Sequence, residues 1–422
     1  MLNRLRHRVK LRTDGGIKTG RDVVIAAMLG AEEFGVGTAS LVAMGCIMVR
    51  QCHSNTCPVG VCSQDEAMRA KFEGTPEKVI NLFSFIAEDV RNILASLGVK
   101  RLVDVIGRTD YLQQVSRGSD LLDDLDLNPL LAQADPGGHA RYCTLEGRNE
   151  VPETLDAQMI EDAAPLFERG EKMQLQYTVR NTHRAIGTKM SSKITRLYGM
   201  SGLHPGHLTV RLRGSAGQSL GAFAVQGLKL EVMGDANDYV GKGLSGATIV
   251  VRTAPSSQLV SQDNTIIGNT CLYGATAGEL FAAGQAGERF AVRNSGATAV
   301  VEGCGSNCCE YMTGGLVAIL GAIGDNFGAG FTGGQAFVFD RENLFEKRVN
   351  PETLHWQRVE HPHWQGVLRE LVERHQKETQ SRYAEMMLHD WARALPQFWQ
   401  IVPKEYVKYL PAPLVELAAL RA

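Results

Sequence analysis

The glycines of this chain are concentrated in one β-prone stretch, and this limits the folds that the stretch can adopt. Of the 45 glycines, 24 lie between Gly214 and Gly334, where they alternate with short β-prone runs such as residues 247–251. Residues 240–246 and 327–333 repeat one Gly-x-Gly-x-x-Gly pattern. Regular corners that need a positive φ suit a parallel β-helix. We therefore predict a glycine-rich β-helix domain over residues 156–345, with a Greek-key sandwich as the alternative.

The first 110 residues alternate short apolar strands with helical segments. Residues 9–12 and 33–37 are predicted to be strands, and residues 21–29 show helical spacing. A further helix is predicted to begin at Pro76, with Thr75 as its N-cap. Strands that alternate with helices indicate parallel pairing, so residues 1–110 are predicted to form an α/β unit.

Three other segments have simpler patterns. Residues 111–155 contain an acidic run and a Pro-Gly-Gly break, which predict a linker lying along a surface. Residues 158–187 are predicted to be helical, with the N-cap at Thr154 or Asp156. Residues 346–422 are rich in Trp, Leu and Glu and are predicted to form a helical C-terminal tail.

The overall composition excludes several classes of protein. The net charge of -2 gives no reason to expect nucleic acid or an anionic membrane as a partner. The chain has no apolar run of the roughly 18 residues that a membrane span needs, and residues 1–10 have no apolar core of a secretory signal. The nine cysteines do not suggest a disulfide framework. A reducing, cytoplasmic location and metal binding by cysteine are therefore expected.

Four cysteines are spaced closely enough to bind one inorganic centre. Cys46, Cys52, Cys57 and Cys62 lie within 17 residues, and Pro58 follows the third. Thiolates hold the iron of Fe–S clusters, and this spacing favours such a cluster over structural zinc, which prefers paired C-x2-4-C knuckles. The spacing leaves open a three-iron cluster with three ligands or a four-iron cluster with four. Zinc, or inert buried thiols, are the alternatives.

The remaining cysteines are predicted to be structural. Cys308 and Cys309 are adjacent, and neighbouring residues of a strand point to opposite faces, so the two are not expected to bind one metal. Cys143 and Cys271 are expected to be core residues.

Two predicted strands are followed by glycine turns that could bind a phosphate. Asp14, Gly15 and Gly16 follow the first strand, and Gly37 and Thr38 follow the second, each turn preceding a helix. Glycine makes backbone N–H groups accessible, and α/β barrels hold phosphates after their seventh and eighth strands. Either turn alone is more often just a turn. Two in succession, followed by the cysteine loop, predict a phosphate site.

Together these motifs resemble one family. Residues 11–23 (LRTDGGIKTGRDV), 35–39 (GVGTA) and 45–61 (GCIMVRQCHSNTCPVGV) look like the large subunit of glutamate synthase, and the two Gly-x-Gly-x-x-Gly segments resemble the repeats of its β-helix domain. The resemblance covers most of the chain. It implies α/β plus all-β architecture, with the last two βα units of a TIM-type (β/α)8 barrel, a right-handed parallel β-helix and a helical tail.

The resemblance also implies a reaction and its cofactors. In this family an FMN on the barrel receives electrons through a 3Fe-4S cluster and reduces 2-iminoglutarate, formed from 2-oxoglutarate and glutamine-derived ammonia, to L-glutamate. Cys62 would be a neighbour of the cluster rather than a ligand. The residues implied for the FMN ribityl-phosphate are Asp14, Gly15, Gly16, Gly37 and Thr38. Those implied for the cluster are Cys46, Cys52 and Cys57.

The sequence departs from the family in what precedes the first strand. By the resemblance, we expect six of eight barrel units and the glutaminase domain to be missing, so no catalytic residue is assigned in this chain, and we expect it to be inactive alone. We expect it to be either a truncated gene product or part of a split enzyme. Expected partners are the remainder of the large subunit and a small electron-donating subunit or ferredoxin. The alternative functions are a non-catalytic β-helix scaffold and a zinc-binding protein.

Overall fold

A computed structural model describes residues 4–52, 56–63, 65–133, 136–147, 150–254 and 256–414. The chain divides into two compact units, which are residues 1–151 (unit 1) and residues 152–422 (unit 2). Short 3-10 helices span Arg6–Arg8, Leu102–Val105, Thr109–Tyr111, Ser261–Asp263, Leu395–Gln397 and Lys404–Tyr409. None of the helices in the described ranges is long and apolar enough to cross a membrane.

Unit 1 contains a parallel strand pair and a set of helices. The strands are β1 (Arg12–Thr13) and β2 (Glu33–Phe34). The helices are α1 (Gly20–Met28), α2 (Thr38–Ala43), α3 (Glu66–Arg69), α4 (Pro76–Ser96), α5 (Asp120–Asp123) and α6 (Asn128–Leu131). The predicted strand–helix alternation and parallel pairing are confirmed, although both strands are shorter than predicted.

Capping and an apolar face explain the two main helices of unit 1. Thr19 and Asp22 form a capping box at the start of α1, in which each side chain accepts a backbone N–H of the other. Pro76 occupies the first turn of α4, where its missing N–H leaves no bond unmade. The two helices share a core that includes Val24, Ala27 and Leu94 of α1 and α4.

Unit 2 is built on one mostly parallel sheet. Its strands are β3 (Met173–Val179), β4 (Leu208–Ala216), β5 (Leu228–Ala236), β6 (Ser245–Arg252), β7 (Thr265–Ile267), β8 (Ala277–Ala282), β9 (Gln285–Ala286), β10 (Ser295–Val301), β11 (Thr313–Ile319), β12 (Gly333–Phe339), β13 (Leu354–Arg358) and β14 (Phe398–Pro403). Its helices are α7 (Leu155–Asp162), α8 (Ala164–Arg169), α9 (Thr188–Tyr198), α10 (Phe345–Arg348), α11 (Pro362–Thr379), α12 (Arg382–His389) and α13 (Trp391–Ala394).

Strands β3, β4, β5, β6, β8, β10, β11 and β12 pair in parallel, each with the next of this series. Parallel pairing in sequence order excludes the antiparallel Greek-key sandwich and is compatible with the predicted β-helix. The β-helix and its handedness, and the barrel to which unit 1 would belong, stay predictions.

Side chains stack in rows across the paired strands. Val210 lies opposite Leu230 and is fully buried with it on one face. On another face Val300 is flanked by Phe281 and Ala318, and this row belongs to a second core shared with α11. Because alternate residues of a strand point to opposite faces, strand segments with two buried faces need continuous apolar sequence, as residues 299–301 of β10 have.

Two predicted helical regions contain strands. The predicted helix over residues 158–187 is wrong after α8, because Gly170 ends that helix in the left-handed conformation and β3 follows. The tail over residues 346–422 is helical only in part. It also supplies β13 and β14, and β14 pairs antiparallel with β12.

Candidate cofactor site

The two predicted phosphate turns lie side by side. The parallel register places Arg12 opposite Glu33 and Thr13 opposite Phe34, so both strands end at the same edge. The N–H of Gly35 donates to the carbonyl oxygen of Thr13 over 2.7 Å. A Cβ on Gly35 would lie 2.9 Å from the Cβ of Asp14, so the close approach of the turns depends on glycine there.

The glycines of these turns face open space. Gly15 and Gly16 have φ of 84° and 74°, which favours glycine. A Cβ at either of them, or at Gly37, would meet no heavy atom within 4 Å. Gly37 is the N-cap of α2, and Thr38 is the first residue of that helix. The turns therefore leave room for a group to approach the backbone closely.

Hydrogen bonds fix the loop between β1 and α1. The Asp22 carboxylate accepts the backbone N–H groups of Lys18 and Thr19 over 3.0 and 2.9 Å. These hydrogen bonds, the first being the largest cause, hold the pKa of Asp22 below its ordinary value. The N–H of Gly20 donates to Asp89 of α4 over 2.8 Å. The first turn is thus held by both helices of the unit.

The cysteine loop starts directly after α2. The N–H of Cys46 donates to the carbonyl oxygen of Leu41, and the Cys46 sulfur lies 3.5 Å from the N–H nitrogen of Met48. Met48 and Arg50 have φ of 60° and 63°, a conformation that residues other than glycine rarely adopt. Such strain concentrates in functional loops.

The sulfur of Cys57 is surrounded by donors. Burial favours its neutral thiol, but hydrogen bonds from the backbone N–H groups of Cys62, Val59 and Val61 and from the Cys62 thiol outweigh burial and lower its pKa. These donors stabilise a thiolate, which is the form that binds a metal.

The structure also places Cys62 beside its neighbours. Partial desolvation raises the pKa of the Cys62 thiol to about 12, and hydrogen bonds with the Cys57 and Cys52 thiols contribute to the rise. Hydrogen bonds thus link Cys62 to both Cys52 and Cys57. No three His, Cys, Asp or Glu side chains of the described residues are arranged to hold a metal ion. His53, Ser54 and Asn55, predicted to lie in this loop, fall outside the described residues.

The predicted structural cysteines are buried, with one exception. Cys304, Cys308 and Cys309 have at most 7% of their surface exposed, and Cys271 is fully buried. Cys308 and Cys309 lie in a turn rather than a strand, with their sulfurs 3.8 Å apart, so the argument from opposite strand faces was wrong. Burial, with hydrogen bonds to Cys304 and Cys309 that favour the neutral thiol, raises the pKa of Cys308, which keeps it inert. Cys143 is only half-buried.

Sequence reasoning missed a polar cluster in unit 2. Glu302, His375 and Ser381 meet although 73 and 79 residues separate the last two from the first. No local sequence motif predicts contacts between residues so far apart in the chain, and they are seen only in the folded structure.

The chain therefore combines a mostly parallel sheet, whose corners are rich in glycine, with a separate α/β unit that carries clustered cysteines. Comparison with models of protein families agrees with this description. The model described as "GXGXG motif" matches residues 156–404, which is more than half of the chain, so the chain belongs to the GXGXG family. The model described as "Conserved region in glutamate synthase" matches residues 1–100, and the resemblance to glutamate synthase large subunits is confirmed.

Curated relatives are similar in sequence to nearly the whole chain. The glutamate synthase (NADPH) large chain of Azospirillum brasilense is 70% identical over 98% of this chain and 27% of its own length. Ferredoxin-dependent glutamate synthase 2 of Synechocystis is 45% identical over 96% of this chain and 26% of its own. The glutamate synthase (NADPH) large chain of Bacillus subtilis is 44% identical over 97% and 27%. The chain thus spans about a quarter of the length of these relatives.

Proposed function

We propose that this chain serves a cytoplasmic oxidoreductase of the glutamate synthase type, in which unit 1 binds part of an FMN and a 3Fe-4S cluster. The observation that carries the proposal is the pair of open glycine turns at one edge of the β1–β2 pair, followed directly by the cysteine loop. The strong similarity to enzymes named glutamate synthase supports the same reaction class.

The turns fit the phosphate end of a flavin nucleotide. The N–H groups of Gly15, Gly16 and Gly37 would donate to phosphate oxygens, because no side chain blocks their approach. The Thr38 hydroxyl would add a donor beside them, and Asp14 would hold the turn against Gly35. When bound, the flavin would supply a hydride for reduction of 2-iminoglutarate.

The cysteine loop fits an Fe–S cluster by its donor chemistry. The proposed ligands are Cys46, Cys52 and Cys57, and they offer only thiols. The N–H groups directed at the Cys57 sulfur are the kind of second-shell donors that tune cluster potentials. Electrons would come from a small electron-donating subunit or from ferredoxin.

We also propose that residues 1–422 cannot catalyse the reaction by themselves. A strand pair does not close a barrel, and its edges leave unpaired backbone groups. Unit 1 exposes large apolar side chains such as Ile47, Ile80 and Phe85, the last with 74% of its surface exposed. Further barrel segments would cover such surfaces and supply the groups that hold the flavin ring, 2-oxoglutarate and ammonia.

The test is cluster reconstitution of the 422-residue chain with ferrous iron and sulfide under anaerobic conditions. We expect bound iron, acid-labile sulfide and the electron paramagnetic resonance signal of an oxidised three-iron cluster. C57S should lose the signal, whereas C62S, a matched change five positions away in the same loop, should keep it. Zinc without sulfide would instead indicate a zinc protein. Absence of any metal would refute the cluster and favour a scaffold.

A further inference from the structure

Two arginines of unit 2 lie beside the turn between α11 and α12. Arg252 is the last residue of β6, and Arg382 is the first residue of α12. The Arg252 guanidinium donates to the side-chain oxygen of Gln380 over 2.8 Å, and Gln380 is the residue that ends α11. Arg252 is therefore anchored at the turn from which Arg382 extends. In the described part of the chain, neither guanidinium forms an ion pair.

Both arginines line one cavity. Its volume is about 500 Å³, and small-molecule sites span about 300–1,000 Å³. Among the described residues that line it, none is Asp or Glu. Three other cavities lined by described residues each include at least one carboxylate. This cavity is therefore suited to a ligand that carries negative charge.

Three carboxylates adjoin the lining in sequence, and none of them neutralises it. Glu378 pairs with the ammonium group of Lys229 over 2.6 Å. Asp263 lines the neighbouring cavity. Glu385 is an exposed residue of α12 that is not part of the lining. Apart from the bond to Gln380, the guanidinium N–H groups have no partner among the described residues, so they can donate to a ligand.

The loop after β6 adds uncharged donors to the cavity. The Ser257 hydroxyl accepts the N–H of Leu259 over 3.2 Å, so its own O–H can donate to a ligand. The hydroxyls of Thr379 and Ser381 also line the cavity, but they donate to other groups of the protein. The lining residues of the loop that carry a hydroxyl or an amide are Thr253, Ser256, Ser257, Gln258 and Ser261.

The number of charges distinguishes between kinds of anion. A carboxylate would neutralise only one guanidinium, whereas a phosphate monoester carries about −1.5 to −2 at neutral pH and has three acceptor oxygens. Guanidinium groups bind phosphate with pairs of parallel hydrogen bonds. Leu259, Val260 and Met386 line the cavity and are exposed, so they offer apolar surface to an organic group. The lining thus matches both parts of a phosphate ester.

We propose that this cavity binds a phosphate monoester of a small organic molecule. The phosphate lies between the guanidiniums of Arg252 and Arg382, and the organic group packs against Leu259, Val260 and Met386. The site lies within unit 2 and uses none of the residues proposed for FMN or for the cluster in unit 1. Its failure would leave the function proposed for unit 1 untouched.

Calorimetric titration of the 422-residue chain at neutral pH with three matched probes tests the proposal. Phenyl phosphate has both parts of the ligand, phenyl sulfate has the same shape with one negative charge, and inorganic phosphate lacks the organic group. We expect phenyl phosphate to bind, and each of the other two should bind about tenfold more weakly. Equal binding of phenyl sulfate would contradict the charge argument, and equal binding of inorganic phosphate would show a site for an inorganic anion only. Either result overturns the proposal, as does absence of binding by phenyl phosphate.

Variants of the two arginines assign the binding to this cavity. R252A and R382A should each weaken the binding of phenyl phosphate by about tenfold. R382K should recover part of the loss, because lysine keeps the charge without the paired donors of the guanidinium. R369A is the matched control, since Arg369 is an exposed arginine of α11 outside the lining, and it should bind as the parent does.

The R382A variant decides the test by itself should R252A fail to fold. The Arg382 side chain has no hydrogen-bond partner among the described residues, so its removal leaves the fold intact. Unchanged affinity in R382A would place phenyl phosphate elsewhere in the chain, for example at the glycine turns of unit 1. That outcome would refute the site.

Discussion

Replacing Gly214 by alanine is expected to destabilise unit 2 strongly. Gly214 lies in β4 with φ of 117°, and a Cβ there would lie 2.2 Å from the carbonyl oxygen of Val179 in β3. A strained φ costs about 1–3 kcal/mol. The steric conflict adds about 1–3 kcal/mol, because the oxygen belongs to the backbone of a paired strand. The free energy of unfolding should therefore fall by about 2–6 kcal/mol.

Alanine substitutions at two other glycines separate the cost of a strained φ from the cost of a steric contact. Gly170 has φ of 70° with no atom within 4 Å of a Cβ, so G170A should cost only about 1–2 kcal/mol of strain. Gly366 lies inside α11 with no neighbour of a Cβ and no positive φ. G366A should therefore stabilise the protein by about 0.5–1 kcal/mol, because alanine is the better helix former.

Tryptophan fluorescence in a urea titration reports on the unfolding of unit 2. All four tryptophans, at positions 356, 364, 391 and 399, lie in unit 2. The transition midpoint should rank G366A above the parent, the parent above G170A, and G170A above G214A. A midpoint of G214A equal to that of G170A would refute the reasoning, since it would mean that the backbone of β3 yields to the added methyl without cost.

Three further perturbations test other parts of the structure. L230A should cost about 2–5 kcal/mol in the same titration because Leu230 is fully buried, and an equal effect of L259A, at an exposed position, would argue against this core. Burial raises the pKa of Asp156 in the folded state despite two backbone N–H donors. Stability should therefore fall as pH rises from 3.8 toward that raised value, and D156N should flatten this slope; an unchanged slope counts against the burial argument. T19A removes the cap of α1 and should cost about 1 kcal/mol, seen as faster amide exchange in that helix, and unchanged exchange would contradict the role of the cap.

Local signals in the sequence predicted much of the architecture. Glycine repeats marked the corners of the parallel sheet, and a Thr-Pro pair marked the start of α4. Strand β3 also had a local signal, because Met173, Leu175 and Tyr177 alternate with polar residues at a period of two. The helical prediction failed there because it extended the pattern of α7 and α8 past Gly170, which ends α8.

Other features had no local signal to predict them. Strand β14 exists because Phe398 and Ile401 find partners in β12, some 60 residues earlier. Glu302 and His375 meet only after the sheet and α11 are assembled. Such contacts depend on tertiary packing, which overrides local preference. In unit 1 the turns were predictable as motifs, whereas the hydrogen bonds of Cys62 with Cys52 and Cys57 had no motif to predict them.

The reversal of strand direction at β14 has a consequence for solubility. A stack of parallel strands in sequence order has no built-in end, because its last strand has an unpaired edge to which a further strand can pair. Here β14 pairs antiparallel with β12, and β13 pairs antiparallel with β14, so the edge of β12 is covered by a strand of opposite direction. Removing residues 398–403 would uncover β12, and we expect such a protein to add further chains end to end and grow into filaments.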